Sequence, residues 1–309
     1  MRLAGLIVFW CALSQAGEER RALAAAGGLV DQGDYQGALR TLAPFEEKLK
    51  GAAEYHGLLG VARAGAGDPA GAIASLQAAL RIEPANENYY MDLARVLGDY
   101  DAHEASIGLL EWAAARYPKS ARLRVALAFI AAGRMQAARA AAEQAIAVDP
   151  ALETGYSTLA MVYEDEKDWP ALVEVAGRLR KLNAGNFLAW YYLGVGQAGQ
   201  AGLEATGAAE AERALRRVIR LNPGFPPAYF QLGKLLLERG ETAGAIRRLS
   251  RAVELKPDYA EAHFLLARAF RKTGDAGRWQ EELEIHRKLL AEEQARKRPH
   301  IEVQLALPE

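Results

Sequence analysis

The chain has 309 residues, of which 51% are hydrophobic and 25% are charged, and its 38 Lys and Arg against 39 Asp and Glu give a formal net charge of −1. The hydrophobic fraction is typical of soluble proteins that fold and argues against a chain that is disordered throughout. The balanced charge argues against nucleic acid as a partner, because proteins that bind phosphate backbones carry a basic excess.

Residues 1–16 have the pattern of a secretory signal peptide. Arg2 is followed by an apolar run at 3–13 and by a short stretch that ends at Ala16. The run is shorter than the roughly 20 residues that span a bilayer, so we expect cleavage after Ala16 and export to the periplasm or the extracellular space. The single cysteine, Cys11, lies inside the run and lacks the small residues that precede a lipidated cysteine. The alternative is an uncleaved first helix whose apolar face has to be covered.

Beyond this segment, Leu followed by Gly or Ala recurs seven times at intervals of 32 to 39 residues. The seven positions are Leu59, Leu93, Leu127, Leu159, Leu193, Leu232 and Leu266. About 24 residues after each of the first six comes a helix stop, and five of these stops are proline, which lacks the amide that a continuing helix needs. Between each Leu and its stop lies a second apolar period, as after Asp68 and Pro69, which are typical of an N-cap and a first helical residue. Each repeat is therefore predicted to fold as helix, turn, helix.

This pattern resembles the tetratricopeptide repeat (TPR), in which bulky, small and proline residues recur at fixed positions of about 34 residues. The best match consists of Tyr229, Leu232, Gly233, Leu236, Ala245, Leu249, Ala252 and Pro257. The resemblance implies an all-α fold, a right-handed α-solenoid superhelix of about eight helix-turn-helix repeats with a C-terminal capping helix. The solenoid is predicted to span residues 17–298, with repeats at approximately 19–52, 53–86, 87–120, 121–152, 153–186, 187–225, 226–259 and 260–298.

Particular residues predict how the helices pack. Gly233 and Ala245 are small, so we expect the two helices of their repeat to approach closely, while Tyr229 and Leu236 fill the gap to the neighbouring repeat. The repeat around Leu127 is two residues shorter than its neighbours, and we expect the local geometry to differ there.

The last predicted helix is long and has a single apolar stripe. The stripe consists of Trp279, Leu283, His286 and Leu290. Such a stripe suits a helix that caps the open end of a solenoid. Pro299 ends this helix, and we expect residues 299–309 to form a loosely held tail.

No constellation of catalytic or metal-binding residues emerges, so we expect neither an enzyme, nor a cofactor or metal site, nor a small-molecule substrate. His103 begins a segment like a zinc-protease motif, but Ile107 stands where the second His would be. His56 and His263 occupy the bulky fourth position of their repeats, where packing explains them. The basic triplet at 296–298 is typical of a solvated helix end.

The first helices of a TPR solenoid line its concave face, and positions 2, 5, 9 and 12 of each repeat share the side that points into it, because they are spaced three and four residues apart. The candidate partner-binding residues there and beside them are Met91, Arg95, Tyr191, Phe230, Lys234, Phe264, Arg268 and Arg271. Aromatic residues in three consecutive repeats, with cations alongside, predict a groove for a peptide with aromatic or aliphatic anchors and acidic groups. Packing between adjacent first helices explains the aromatic residues equally well. No repeat has the Lys and Asn pair with which the family clamps a C-terminal carboxylate.

The sequence therefore predicts an exported, non-catalytic scaffold that binds a protein or peptide partner in its concave groove, without nucleic acid and without a membrane span. The alternative is a structural subunit of a cell-envelope assembly, such as pilus, export or polymer-secretion machinery, that docks through its outer surface. A third interpretation is a regulatory domain of an enzyme encoded as a separate chain.

Overall fold

The computed structural model describes residues 2–131, 135–201, 205–295 and Leu305, with side chains from Gly17 onward except at 201, 205 and 206. The described residues form helices and their connections, with no β-strand among them, so the predicted all-α fold is confirmed. Across this described part, no helix is both long and apolar enough to cross a membrane.

The chain divides into two compact bodies. The first body is Met1–Ala131 with Arg298–Glu309, and the second body is Ala132–Lys297. The division falls within the short repeat around Leu127, where residues 132–134 lie outside the described part of the chain.

The first body is a row of antiparallel helices. Its α-helices are α1 (Arg2–Asp31), α2 (Tyr35–Leu42), α3 (Glu46–Leu49), α4 (Ala53–Gly65), α5 (Pro69–Ile82), α6 (Glu87–Asp99), α7 (His103–Arg116) and α8 (Ala121–Ile130). From α4 to α8, each helix packs against the next. Gly67 (φ 86°) allows the tight turn after α4, and Asp68 caps α5 by accepting a hydrogen bond from the Gly71 amide at 2.9 Å. The predicted N-cap at Asp68 is therefore confirmed.

The core of the first body lies between successive helices. Tyr90, Leu93 and Leu110 are almost completely buried there. Each buried Leu side chain contributes roughly 1.5–3 kcal/mol relative to leaving it in water. Helices α4 and α5 pack so closely that a Cβ at Gly60 would lie 2.6 Å from Leu76 Cγ.

The second body continues the pattern of antiparallel helices. Its helices are α9 (Met135–Val148), α10 (Glu153–Glu166), α11 (Trp169–Leu182), α12 (Phe187–Ala201), α13 (Ala205–Leu221), α14 (Pro226–Glu238), α15 (Thr242–Leu255), α16 (Ala260–Thr273) and α17 (Ala276–Ala295). Each helix packs against the next, and α10, α12, α14 and α16 also contact one another in that order. The first helices of successive hairpins therefore form one face of this body, which we call the first-helix face, and α11, α13 and α15 form the second-helix face.

Gly233 sets the distance between α14 and α15. A Cβ at this position would lie 2.7 Å from Leu249 Cγ and 3.3 Å from the Leu249 backbone nitrogen. Ordinary contacts between carbon atoms are about 3.5–4.0 Å, so only glycine fits without displacement. Ala245, on the facing helix, is fully buried. The predicted close approach at Gly233 is confirmed.

The fourth residue of each repeat anchors the helix start to the preceding turn. In six repeats its side chain hydrogen-bonds to the backbone carbonyl six residues earlier. The bonds are His56 to Lys50 O (2.9 Å), Tyr90 to Pro84 O (2.9 Å), Tyr156 to Pro150 O (3.0 Å), Trp190 to Ala184 O (2.9 Å), Tyr229 to Pro223 O (3.0 Å) and His263 to Pro257 O (3.0 Å). A donor on a bulky ring satisfies this carbonyl, which explains why His substitutes for Tyr at two positions.

The cap helix α17 packs along α16 through part of its predicted stripe. Trp279, Leu283 and His286 are half-buried, whereas Leu290 is 40% exposed. His286 Nδ1 donates to the carbonyl of Ala260 at 2.9 Å, which fixes the middle of α17 on the start of α16.

Predictions about the two ends of the chain fall largely outside the described residues. The backbone of the signal-like segment belongs to α1 from Arg2 onward, but the side chains of residues 1–16 are not among those described. The basic triplet and most of the tail at 299–309 lie outside as well. Leu305 is the exception, because it is partly buried against the core of the first body, where we expected a loosely held residue.

Candidate functional site

A cavity of about 550 Å³ opens on the first-helix face of the second body. It lies between α10, α12 and α14, and Trp169 at the start of α11 closes one side. Its apolar wall includes Val195, Ala198 and Leu235, and its polar rim includes Glu164, Gln231, Lys234 and Glu238. The volume is within the range of about 300–1,000 Å³ that is usual for ligand pockets.

The wall of this cavity depends on small residues in α12. A Cβ at Gly199 would overlap the indole ring of Trp169, so a glycine is needed where the helix passes this side chain. The helix can then present Val195 and Ala198 to the cavity one turn apart.

A hydrogen bond holds the acidic side of the cavity in place. Tyr191 is 8% exposed, and its hydroxyl donates to Glu164 Oε1 at 3.2 Å, with the side chain of Gln231 beside it. Burial raises the pKa of the Glu164 carboxyl above its ordinary value, although the bond from Tyr191 and the charge of Lys234 act in the opposite direction. The cavity therefore contains a half-buried carboxyl group beside an amine.

Lys234 supplies the positive charge at this site. It is exposed at the cavity mouth, and its ammonium group has no carboxylate within ion-pair distance among the described residues. Arg268 and Arg271 are exposed on the neighbouring α16. None of these three cations has a carboxylate within ion-pair distance in the described ranges of the chain.

The three predicted aromatic residues each contact an aromatic ring further along the chain. Ring centroids are 5.4 Å apart for Tyr191 and Phe225, 5.0 Å for Phe230 and Tyr259, and 5.2 Å for Phe264 and His286. Tyr191 is buried and Phe230 is half-buried, whereas Phe264 is 41% exposed. Tyr191 and Phe230 thus join adjacent hairpins, and Phe264 is the most exposed of the three.

Met91 and Arg95 belong to the first body, unlike the other six candidate residues. Met91 is half-buried against the core of that body. Arg95 is exposed and lies 3.8 Å from Asp92 and 3.7 Å from Asp99 on its own helix, and such exposed pairs contribute little to stability.

The acidic part of the site was not predicted from the sequence. Glu164 occupies position 12 of its repeat, which points into the same face as positions 5 and 9. Reading position 12 in every repeat, as was done for positions 5 and 9, identifies Glu164. Gln231 and Glu238 follow no position of the groove pattern, and their place at the rim depends on how α14 packs against α12.

Two family profiles match parts of the chain. A profile described as "TPR repeat" matches residues 233–274, and one described as "Tetratricopeptide repeat" matches residues 23–87 and 197–246. Comparison with the curated proteins finds no match.

Several solved structures have a similar fold. A tetratricopeptide repeat protein from Parabacteroides merdae aligns with a TM-score of 0.58 and 15% identity over 84% of this chain and 98% of its own. PilF of Pseudomonas aeruginosa aligns with a TM-score of 0.53 and 18% identity over 67% of this chain and 96% of its own. A chain of the APC/C hetero-tetramer Cut9-Hcn1 aligns with a TM-score of 0.57 and 17% identity over 82% of this chain and 50% of its own. At these identities the likeness establishes a helical solenoid fold, and together with the profile matches it supports the tetratricopeptide repeat family for this chain.

Proposed function

We propose that the protein is a non-catalytic interaction scaffold whose second body binds an extended peptide segment of a partner protein on the first-helix face. The cavity at Lys234 is the observation that carries this proposal. It combines an apolar wall at Val195 and Leu235 with a half-buried carboxyl at Glu164 and an amine that has no described ion-pair partner. A peptide offers an apolar side chain, backbone amides and charged groups within a few residues, and it matches all of these features.

The charges of the cavity restrict the partner sequence. An apolar or aromatic side chain would enter between Val195 and Leu235, and an acidic group beside it would pair with Lys234. Glu164 would accept a hydrogen bond from a backbone amide or a basic side chain of the peptide. Phe264 and Arg268, exposed on α16, extend the surface toward the cap.

Crosslinking in living cells tests the site directly. A photoreactive amino acid in place of Lys234 should capture the partner, and the same group in place of Glu254 should not, because Glu254 is exposed on α15, the second helix of the same hairpin. Equal capture at both positions, or capture at Glu254 alone, would show that the first-helix face is not the binding surface.

Two substitutions then distinguish binding from packing. Truncation of an aromatic anchor in an interface commonly costs about 2 kcal/mol, so Phe264→Ala should weaken binding of the captured partner roughly 30-fold. Tyr191→Phe keeps the buried ring but removes its bond to Glu164, so it should lower affinity without lowering the melting temperature by more than a few degrees. A loss of stability in both variants with unchanged affinity would assign the aromatic residues to packing alone.

We further propose that the protein is exported after cleavage of residues 1–16 and acts in the periplasm or outside the cell. A structural role in an envelope assembly is the second candidate, and it requires a partner on the outer surface. If variants that abolish binding at Lys234 still co-purify stably with an envelope complex, this second role is favoured.

A further inference from the structure

A second cavity of the second body lies on the second-helix face and is rich in arginine. It has a volume of about 590 Å³ and lies between α11 and α13, with α12 beneath. Arg180, Arg213, Arg217 and Arg220 line it, and Glu210 is the one carboxylate among its lining residues. We call this cavity the arginine trough.

Most of these arginines have no carboxylate partner among the residues that the structure describes. Arg213 lies 3.8 Å from Glu210, whose carboxylate also accepts a hydrogen bond from Gln197 at 3.3 Å. Arg180, Arg217 and Arg220 have no carboxylate within ion-pair distance in the part of the chain that the structure describes. Four guanidinium groups thus face one carboxylate, and three positive charges are uncompensated in a protein whose overall formal charge is −1.

The adjacent arginine on α13 differs from the arginines that line the trough. Arg216 follows Arg213 by three residues but pairs with Glu212 at 2.7 Å, and Glu212 also binds Arg239 at 2.7 Å. The paired Arg216 is not among the residues that line the trough, whereas its neighbour Arg217 is. Along α13, Arg217 and Arg220 thus lack an ion pair inside the trough, whereas Arg216 has one outside it.

An aromatic ring gives the trough a rigid end. The guanidinium of Arg180 lies over the ring of Trp190, 5.3 Å from its centroid, and the Trp190 indole nitrogen donates to the carbonyl of Ala184 at 2.9 Å. The stacked guanidinium still presents hydrogen-bond donors at its edge, where a carboxylate can bind with two parallel bonds.

We propose that the arginine trough binds an extended acidic peptide with carboxylates at alternate positions. Arg213, Arg217 and Arg220 are spaced four and three residues apart on α13, which corresponds to rises of about 6.0 and 4.5 Å along the helix. Alternate side chains of an extended peptide point to the same side at intervals of about 6.6 Å. Successive carboxylates of such a peptide can meet successive guanidinium groups, with Arg180 and Trp190 across the trough. This site is separate from the cavity at Lys234 and does not depend on it.

The recessed shape of the trough favours a single acidic peptide over a lipid bilayer or a nucleic acid as its ligand. A lipid bilayer or a nucleic acid presents phosphates over a broad area and attracts every exposed cation on a face, including Arg216. A peptide lying between α11 and α13 reaches the arginines that line the trough. The dependence of binding on Arg217, compared with Arg216, therefore distinguishes these occupants.

The test uses the full chain and a fluorescein-labelled peptide of alternating Glu and Ser, with a peptide of the same composition in two blocks for comparison. Fluorescence anisotropy at low salt measures binding to the parent, to Arg217→Gln/Arg220→Gln and to Arg216→Gln. The exposed positions of these side chains should leave the folded state intact, and circular dichroism checks this. Vesicles of phosphatidylglycerol and phosphatidylcholine and a single-stranded oligonucleotide serve as the other anionic ligands.

The alternating peptide should bind more tightly than the block peptide, and the double variant should lose about tenfold in affinity while Arg216→Gln changes it less than about twofold. Equal losses in the double variant and in Arg216→Gln would show nonspecific attraction and overturn the proposal. No measurable binding of the alternating peptide, or tighter binding of the vesicles or the oligonucleotide, would overturn it as well.

Discussion

Gly233 offers a sharp test of the packing that holds the hairpins together. Replacing it with Ala adds one methyl group, which would lie 2.7 Å from Leu249 Cγ and 2.9 Å from Leu249 Cδ2. Leu249 is fully buried, so it has no room to turn away, and the backbone nitrogen of the same residue lies 3.3 Å from the added carbon. Helices α14 and α15 would have to separate.

A second glycine in the same body provides the matched control. Gly177 lies inside α11, and a Cβ there would meet no atom within 4 Å. In an open helical position Ala is more favourable than Gly by about 1 kcal/mol, so Gly177→Ala should raise the unfolding free energy by up to that amount. Gly233→Ala gains the same helix propensity, but overpacking costs about 1–3 kcal/mol, so its net effect should be zero to about 2 kcal/mol of destabilisation.

Gly177→Ala should therefore stabilise the protein and Gly233→Ala should not, although each replaces a helical glycine with alanine. Urea unfolding followed by circular dichroism measures both, and Gly233→Leu should destabilise more than Gly233→Ala. A gain in stability for Gly233→Ala equal to that of Gly177→Ala would show that α14 and α15 do not approach as closely as the structure indicates.

Further predictions concern the cap, the pH dependence and the N-terminus. Deleting the chain from Gly277 onward removes α17 and should expose the last hairpin, so the truncated protein should aggregate on gel filtration while the parent does not. Burial opposes protonation of His263, but its bonds to Glu282 at 2.6 Å and to the Pro257 carbonyl outweigh this and raise the pKa of its ring above 6.5. The resulting stability is present below pH 6.5 and is lost as the pH rises through the folded-state pKa, so thermal unfolding of His263→Gln should lack the decrease that the parent shows as the pH rises above 6.5. N-terminal sequencing of protein from the envelope fraction should begin at Gly17, and full-length protein confined to the cytoplasm would contradict export.

The fold was largely predictable because its determinants recur. The Leu-Gly and Leu-Ala pairs and the prolines recur at intervals of 32 to 39 residues, and local signals such as Asp68 before Pro69 indicate helix starts. The fixed spacing also made the close approach at Gly233 predictable, since a small residue at the same point of several repeats is typical of helices that pack closely there. The right-handed superhelix and the number of repeats remain predictions from the family resemblance.

The candidate sites were less predictable because they combine residues that are distant in sequence. Lys234 was identified from its position in the repeat, but Glu164, which lies in the same cavity, is 70 positions earlier. No sequence pattern indicated the arginine trough. Arg217 and Arg220 look in the sequence like the solvated side of an amphipathic helix, and their common recess with Arg180 follows only from the packing of α13 against α12 and α11.

Helix α12 forms a wall of both proposed sites, which bears on whether one occupant affects the other. Val195 faces the cavity at Lys234, and Leu193 faces the arginine trough. Coupling between the two ligands would require α12 to shift, but a Cβ at Gly194 would lie 2.8 Å from Leu215 Cγ and one at Gly196 would lie 2.8 Å from Val173 Cγ2. The helix is packed tightly against both α13 and α11, so a small displacement meets close contacts on either side. Ligands on the two faces should therefore bind independently, and by linkage neither should change the affinity of the other.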